Sequence, residues 1–266
     1  MSEKNILVEA LDANRKIIEA SPMLVNIHDE NDNLPVFTSA SLTQKCKENS
    51  KNGAPCGFIQ ATDADAGRYG KIEYTLSNRA ETWKRRDGGL ETRQMGMFDI
   101  DSVTGAITMK NPQDWDAEVY EYVEITVLAT DNPGATSRNP PTEGTVKIYV
   151  EDINDNDPKV VDYEKKISVG ELAKPGSKLG TDKYGGQYSF KAEDRDVDRA
   201  NNEVTFKINT PREHPFEIIN TADNKAILQI GAGKKHKLLD FETQNEWRLE
   251  VQAENEKEKL KMKNIW

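Results

Sequence analysis

Two stretches of apolar residues spaced two apart end in the same acidic string, and that pairing restricts the fold more than any other feature. Met23, Val25 and Ile27 run into DENDNLP at 29–35, and Val146, Ile148 and Val150 run into DINDNDP at 152–158. Side chains two positions apart share one face of a strand, so each set predicts a half-buried strand that feeds directly into a loop. Asp29 and Asp152 stand 123 positions apart, about one domain length, so the strings read as punctuation between modules.

The period of two continues elsewhere. It predicts strands over KIEYTL (71–76), VEITVLA (123–129), EVTFKI (203–208), AILQI (226–230) and WRLEVQA (247–253). Leu260, Met262, Asn264 and Trp266 suggest a last one. Helical periodicity is weak, and TGA (104–106), DNPG (131–134) and NPP (139–141) cut the chain into short segments, which predicts an all-β sandwich or barrel. Trp115 and Trp247 are expected in cores, and the stretch at 79–97 is expected to be a solvated loop.

Other landmarks recur in the same order. TDADAG (62–67) follows the first string and EDRDVD (193–198) follows the second. WDAE (115–118) matches LDFE (239–242), and a lone acid, Glu48 or Glu171, stands near the start of each module. The strand at 123–131 ends Ala-x-Asp, at Asp131, and its counterpart ends Ala-x-Asn, at Asn255. A chain of 266 residues holds about two such modules. Residues 1–28 fit only the closing part of the template, VEALD (8–12) and MLVNIHD (23–29), so they are expected to be the tail of a preceding module.

The repeat gathers seven carboxylates around the second string: Glu48, Asp116, Glu118, Asp152, Asp155, Asp194 and Asp196. Like charges about 4 Å apart repel by roughly 1 kcal/mol in water and several in a less polar setting, so convergence calls for a cation. Ligands that are all oxygen select a hard ion, and six to eight of them favour calcium over magnesium. An EF-hand is excluded: counting from Asp63, its sixth position would be Arg68 and its twelfth Tyr74, where Gly and Glu are required.

The net charge of −10 argues against nucleic acid. The three histidines, His28, His214 and His236, sit in no triad or metal spacing, and no enzyme is expected. Cys46 and Cys56 are too few for a closed zinc site. They would either close a disulfide loop worth about 3 kcal/mol, given an oxidising compartment, or remain a pair of buried thiols. No basic start with an apolar stretch follows Met1, and no apolar run reaches the roughly 18–20 residues of a membrane helix.

Taken together, Glu48, WDAE, DINDNDP, DRD and Ala-x-Asp resemble the cadherin repeat, with its lone Glu, LDRE, DxNDNxP, DxD and AxD. The resemblance spans essentially the whole chain and implies tandem seven-strand Greek-key β-sandwiches of immunoglobulin-like architecture. The expected division is residues 1–33 (remnant and linker), 34–157 (repeat with linker) and 158–266 (repeat). It further implies three calcium ions at the 152–158 junction, held by Glu48, Asp116, Glu118, Asp152, the Ile153 carbonyl, Asn154, Asp155, Asn156, Asp194, Asp196, the carbonyl near Asn201, and Asn255. Asn255 departs from the family's Asp and should weaken its site. At the 29–35 junction Asp29, Asn31, Asp32, Asn33, Asp63, Asp65 and Asp131 remain, without upstream ligands, so loading there is expected to be partial.

What the resemblance implies for function is calcium-dependent cell–cell adhesion, homophilic toward another cadherin ectodomain. The protein would be the extracellular part of a single-pass membrane protein at the cell surface, an internal segment attached to the membrane only through parts absent from this chain. An invertebrate junctional cadherin is one form it could take. Alternatives are a heterophilic or mechanical cadherin of the planar-polarity or tip-link kind, or a receptor ectodomain with a separate ligand.

Overall fold

The computed structural model describes residues 3–135, 139–163, 166–180, 188–232 and 237–255, and the statements below concern these. The chain divides into two compact units, one of residues 1–115 with 121–149 and one of 116–120 with 150–266.

In the first unit the alternating runs become strands. Ile17–Asn26 pairs antiparallel with Glu3–Leu11. The turn between them is closed by Asp12, whose Oδ1 accepts the N–H groups of Asn14 and Lys16 at 2.9 Å each. Thr142–Glu151 pairs antiparallel with Tyr120–Thr130, and Val146, Ile148, Val123, Ile125 and Val127 are buried from it. This sheet runs in the order Thr43–Lys47, Thr142–Glu151, Tyr120–Thr130, Glu81–Arg85, Leu90–Arg93, with Glu73–Leu76 also paired to Tyr120–Thr130.

A smaller sheet of Phe98–Ile100, Ala106–Met109 and Pro55–Phe58 adds Phe98, Ile107 and Met109 to the buried set. Cys46 and Cys56 form a disulfide that ties a strand of the larger sheet to one of the smaller. The Thr104–Ala106 turn admits only glycine at its centre. Gly105 has φ +70°, and a Cβ there would lie 2.4 Å from the Ile59 carbonyl oxygen.

The expectation of a solvated loop at 79–97 is corrected by the structure. Glu81–Arg85 and Leu90–Arg93 form an antiparallel hairpin joined to the main sheet. Trp83 is 1 % exposed and meets Trp115 edge-on, with ring centroids 5.6 Å apart, while Phe98 meets Trp115 at 5.5 Å. Glu81, also buried, accepts N–H bonds from Gly96, Met97 and the Trp83 indole at 3.0–3.1 Å. The polar string KRRDGG (84–89) belongs to the hairpin's turn and outer face, and its density of charge masks Trp83, the aromatic that anchors it.

In the second unit one sheet runs Lys159–Asp162, Ser189–Glu193, Lys225–Ile230, Phe216–Thr221, and a second pair joins Val204–Ile208 to Val251–Asn255. Leu179, Phe190, Phe206, Phe216, Leu228 and Ile230 form its core, with Phe190 and Phe206 edge-on at 4.8 Å. The strand expected over 247–253 begins only at Val251. Trp247 and Leu249 pack against the core outside the ladder, and Glu250 N–H bonds the Thr210 hydroxyl at 2.9 Å. The strand expected over 260–266 lies outside the described residues.

The fold is thus all-β and of sandwich type, and no helix among the described residues is long and apolar enough to cross a membrane. Trp83→Ala should lower the stability of the first unit by about 3–5 kcal/mol, the usual cost of emptying a buried aromatic site. Urea unfolding followed by Trp fluorescence measures it, and a loss below about 1 kcal/mol would mean the hairpin is peripheral.

Candidate metal centre

The acidic residues are positioned by backbone donors, because short loops leave N–H groups that only nearby oxygens can satisfy. In the second unit, Asp116 Oδ1 accepts the N–H groups of Glu118 (2.8 Å) and Val119 (3.3 Å), making a tight turn that presents Glu118. Asp194 Oδ1 likewise accepts the N–H of Asp196 at 2.9 Å. The linker is pinned to that turn at two points. Asp152, 8 % exposed, accepts Val197 N–H (3.2 Å), Asp198 N–H (2.9 Å) and the Asn201 amide (2.7 Å). Asn156 donates its backbone N–H and its amide to Asp196 Oδ1 at 3.1 and 2.9 Å, and its amide also to Asp155 Oδ1 at 2.8 Å.

Several groups converge as a result. Carboxylate oxygens of Glu118, Asp152 and Asp196 all lie within 4.8 Å of one another. Asp196 is 2 % exposed, and its Oδ2 is buried with no hydrogen-bond partner. Burial raises the pKa of Asp196 above the ordinary carboxylate range, Asn156's hydrogen bonds pull against that rise, and the Asp152 and Asp155 charges add to it. Asp194 is pushed up to about 6, first by burial and then by Asp196, Asp152 and Asp157. A carboxylate that is buried, crowded by its own sign and short of donors is one that a cation would stabilise. The donors here are carboxylate, carboxamide and carbonyl oxygens, a set that fits a hard divalent ion of calcium's kind and offers nothing to a thiophilic one.

Asn154, Asn201 and Asn255 meet at a second corner. Asn255, 7 % exposed at the end of its strand, donates from Nδ2 to Asn154 Oδ1 (3.1 Å), Asp194 Oδ2 (3.1 Å) and the Asn201 carbonyl (2.8 Å). Ile153 lies half-buried in the linker between the two pinned segments.

The first unit repeats part of this framework. Asp29 Oδ2 accepts Ala66 N–H at 2.9 Å, as Asp152 accepts Val197. Asn33 donates its backbone N–H and its amide to Asp65 and its amide to Asp32, as Asn156 does to Asp196 and Asp155. Asp65 N–H bonds Asp63 Oδ1 at 2.9 Å, and Asp63 Oδ2 is buried without a hydrogen-bond partner. Asp131, 1 % exposed, stands where Asn255 stands in the second unit. One difference is electrostatic: Asn33's hydrogen bonds hold the half-buried Asp65 below the usual range, whereas burial raises Asp196.

Glu48 belongs to the first unit, 3 % exposed, directly after Thr43–Lys47 where Asn49 turns the chain with φ 53°. Asn139 did not appear among the sequence candidates. Its amide donates to Asp131 Oδ2 (3.0 Å) and to the carbonyls of Asn33 (3.2 Å) and Asn31 (3.4 Å). It sits in a Pro-rich run with no acidic neighbour, so no sequence signal marks it. A third group, Glu171, Asp240 and Glu242, is exposed on the second unit and repeats the Asp116 turn, with Glu242 N–H on Asp240 Oδ1 at 3.2 Å.

Comparison with known proteins adds an independent line. Residues 43–151 match the family model for the cadherin domain. Human Protocadherin Fat 1 is 31 % identical over 250 residues, covering 94 % of this chain and 5 % of that protein. Protocadherin gamma-A6 of Pan troglodytes is 31 % identical over 202 residues, covering 76 % and 19 %. The chain therefore spans a small part of the relatives it matches. Among solved structures, the human Desmocollin-1 ectodomain aligns with TM-score 0.70 at 22 % identity, covering 93 % of this chain and 42 % of that one. The protocadherin gammaB7 EC3-6 cis-dimer structure aligns with TM-score 0.58 at 18 % identity, covering 94 % and 55 %. These two speak to the fold.

The raised Asp194 pKa gives a pH signature. Between the unfolded value of 3.8 and about 6, native Asp194 holds a proton that the unfolded chain has released. Metal-free stability should therefore fall as pH rises through that window and level off above it. Carboxylates held low by hydrogen bonds, such as Asp65 and Asp101, pull the other way, so the comparison is with Asp194→Asn. Urea midpoints in chelator should converge for the two chains in acid and separate, with the wild type less stable, toward pH 7. A constant difference across the range would contradict the raised value.

Proposed function

The chain belongs to the cadherin superfamily, and on that premise we propose that it is a calcium-gated segment of an adhesion ectodomain, displayed at the cell surface. The observation that carries this reading is the twice-built acidic framework: the same donors hold the same carboxylates at 29–33 with 63–66 and at 152–156 with 194–197.

In this reading the modules are residues 1–33, 34–157 and 158–266. Asp116, Glu118, Asp152, the Ile153 carbonyl, Asp155, Asp194 and Asp196 hold calcium at the second junction, and Asn154, the Asn201 carbonyl and Asn255 form its third corner. Asn156 acts at that junction by orienting Asp155 and Asp196 through its amide. Asp29, Asn31, Asp32, Asn33, Asp63, Asp65 and Asp131 serve the first junction, with partial loading.

When bound, calcium supplies positive charge that offsets the crowded carboxylates. The chain's own residues do the rest. Asp152 and Asn156 fix the linker to the 194–201 turn, and Asp116 presents Glu118. Without the ion, repulsion among these groups favours opening of the linker. Extracellular modules bind calcium at roughly 10⁻⁴–10⁻³ M, the level outside a cell, so the segment would be ordered there.

The partner is another cadherin ectodomain, taken to be a copy of the same protein. Beads carrying this chain should aggregate in millimolar calcium and disperse in excess chelator. Aggregation that ignores the chelator would contradict calcium dependence. Clumping that appears only when a different protein coats the second beads would make the contact heterophilic.

A further inference from the structure

Asn255 departs from the acidic pattern at one corner of the second cluster, and its contacts there are unlike those of a weak ligand. Its Nδ2 faces three oxygens at once: Asn154 Oδ1 at 3.1 Å, Asp194 Oδ2 at 3.1 Å and the Asn201 carbonyl at 2.8 Å. Those oxygens come from three separate segments, the linker, the acidic turn and the short helix Arg199–Asn202. Converging oxygens from separate segments make a cation shell, and here an amide nitrogen with two partly positive hydrogens stands at its centre.

The first unit shows what the same corner is like without that substitution. Asp131, in the place of Asn255, has only acceptor oxygens when ionised. Its oxygens accept from amides of other segments: Asn31, with its nitrogen facing inward, donates to Asp131 Oδ2 at 3.0 Å and to Asp65 Oδ2 at 3.1 Å. The Asn139 amide also meets Asp131 Oδ2 at 3.0 Å. At the second corner the donor is built into the strand end itself.

We infer that Asn255 is an uncharged, permanent substitute for the cation at this corner, so that the 152–158 junction takes up two calcium ions rather than three. This rests on the calcium reading proposed above and refines it. For an ion to enter, the amide would have to turn over, breaking three hydrogen bonds and offering a neutral oxygen in place of a carboxylate. Asn154, Asp194 and Asn201 would then stay tied together at every calcium concentration, while the Glu118, Asp152 and Asp196 group responds to the ion. The junction would have one latch that is always closed and one that calcium closes.

The test compares the full chain with Asn255→Asp and Asn255→Ala, counting bound calcium by native mass spectrometry and recording melting curves in chelator and in saturating calcium. Asn255→Asp should bind one ion more than the wild type. It should also melt below the wild type in chelator, where a new carboxylate faces Asp194, and at or above it in calcium, a crossing that a simple packing defect would not give. Asn255→Ala, which removes the amide without adding charge, should bind no extra ion and melt lower in both conditions. Equal ion counts for wild type and Asn255→Asp would overturn the inference and leave the calcium junction intact. If no chain bound calcium, the proposed function would fall with it.

Discussion

Carboxylates brought close together in a partly buried place are the constraint on which the second unit's architecture turns. Glu118, Asp152 and Asp196 reach within 4.8 Å of one another. At an effective dielectric near 20 each such pair costs about 3 kcal/mol, comparable to the removal of a buried side chain. The backbone offsets part of that cost, since Asp152 alone collects two N–H groups and an amide. What remains, including a buried Asp196 oxygen with no hydrogen-bond partner, is a standing demand for positive charge. In the reading proposed here the chain meets it in two ways, by an amide at the Asn255 corner and by an ion at the other.

The β-sandwich serves this arrangement by fixing where strands end. Thr142–Glu151 ends one residue before Asp152, and Val251–Asn255 delivers Asn255 at its terminus. Apolar alternation within each strand sets the face that packs and so determines which way the next loop leaves. The acidic loops can therefore vary little in position while their hydrogen bonds hold, which explains why two units of one chain present the same contacts at 29–66 and 152–197.

Much of this was legible in the sequence because repeated, short-range rules control it. The strands at 123–129, 203–208 and 226–230 follow from period two, and the paired acidic strings mark both loop clusters. Where long-range packing decides, the reading failed. WKRRDGG looks solvated, yet its Trp83 enters the core against Trp115, a contact between residues 32 positions apart that local polarity hides. Trp247 and Leu249 alternate as a strand would, but pack against the core beside the ladder. Asn139 carries no pattern because two of its three acceptors, the carbonyls of Asn31 and Asn33, lie 108 and 106 positions away. Asn255 was visible as a departure from the acidic pattern, but three acceptors around its amide are a fact of three dimensions.

If calcium orders the linker through the carboxylates that the two pinned segments bring together, amide exchange in those segments depends on the ion. Amide hydrogen exchange of residues 152–158 and 194–201, followed with calcium and with excess chelator, tests it directly. Adding calcium should strongly slow exchange at Val197, Asp198 and their neighbours, with the Asn201–Asn255 corner changing far less. Exchange that is the same in both conditions throughout these segments would contradict it.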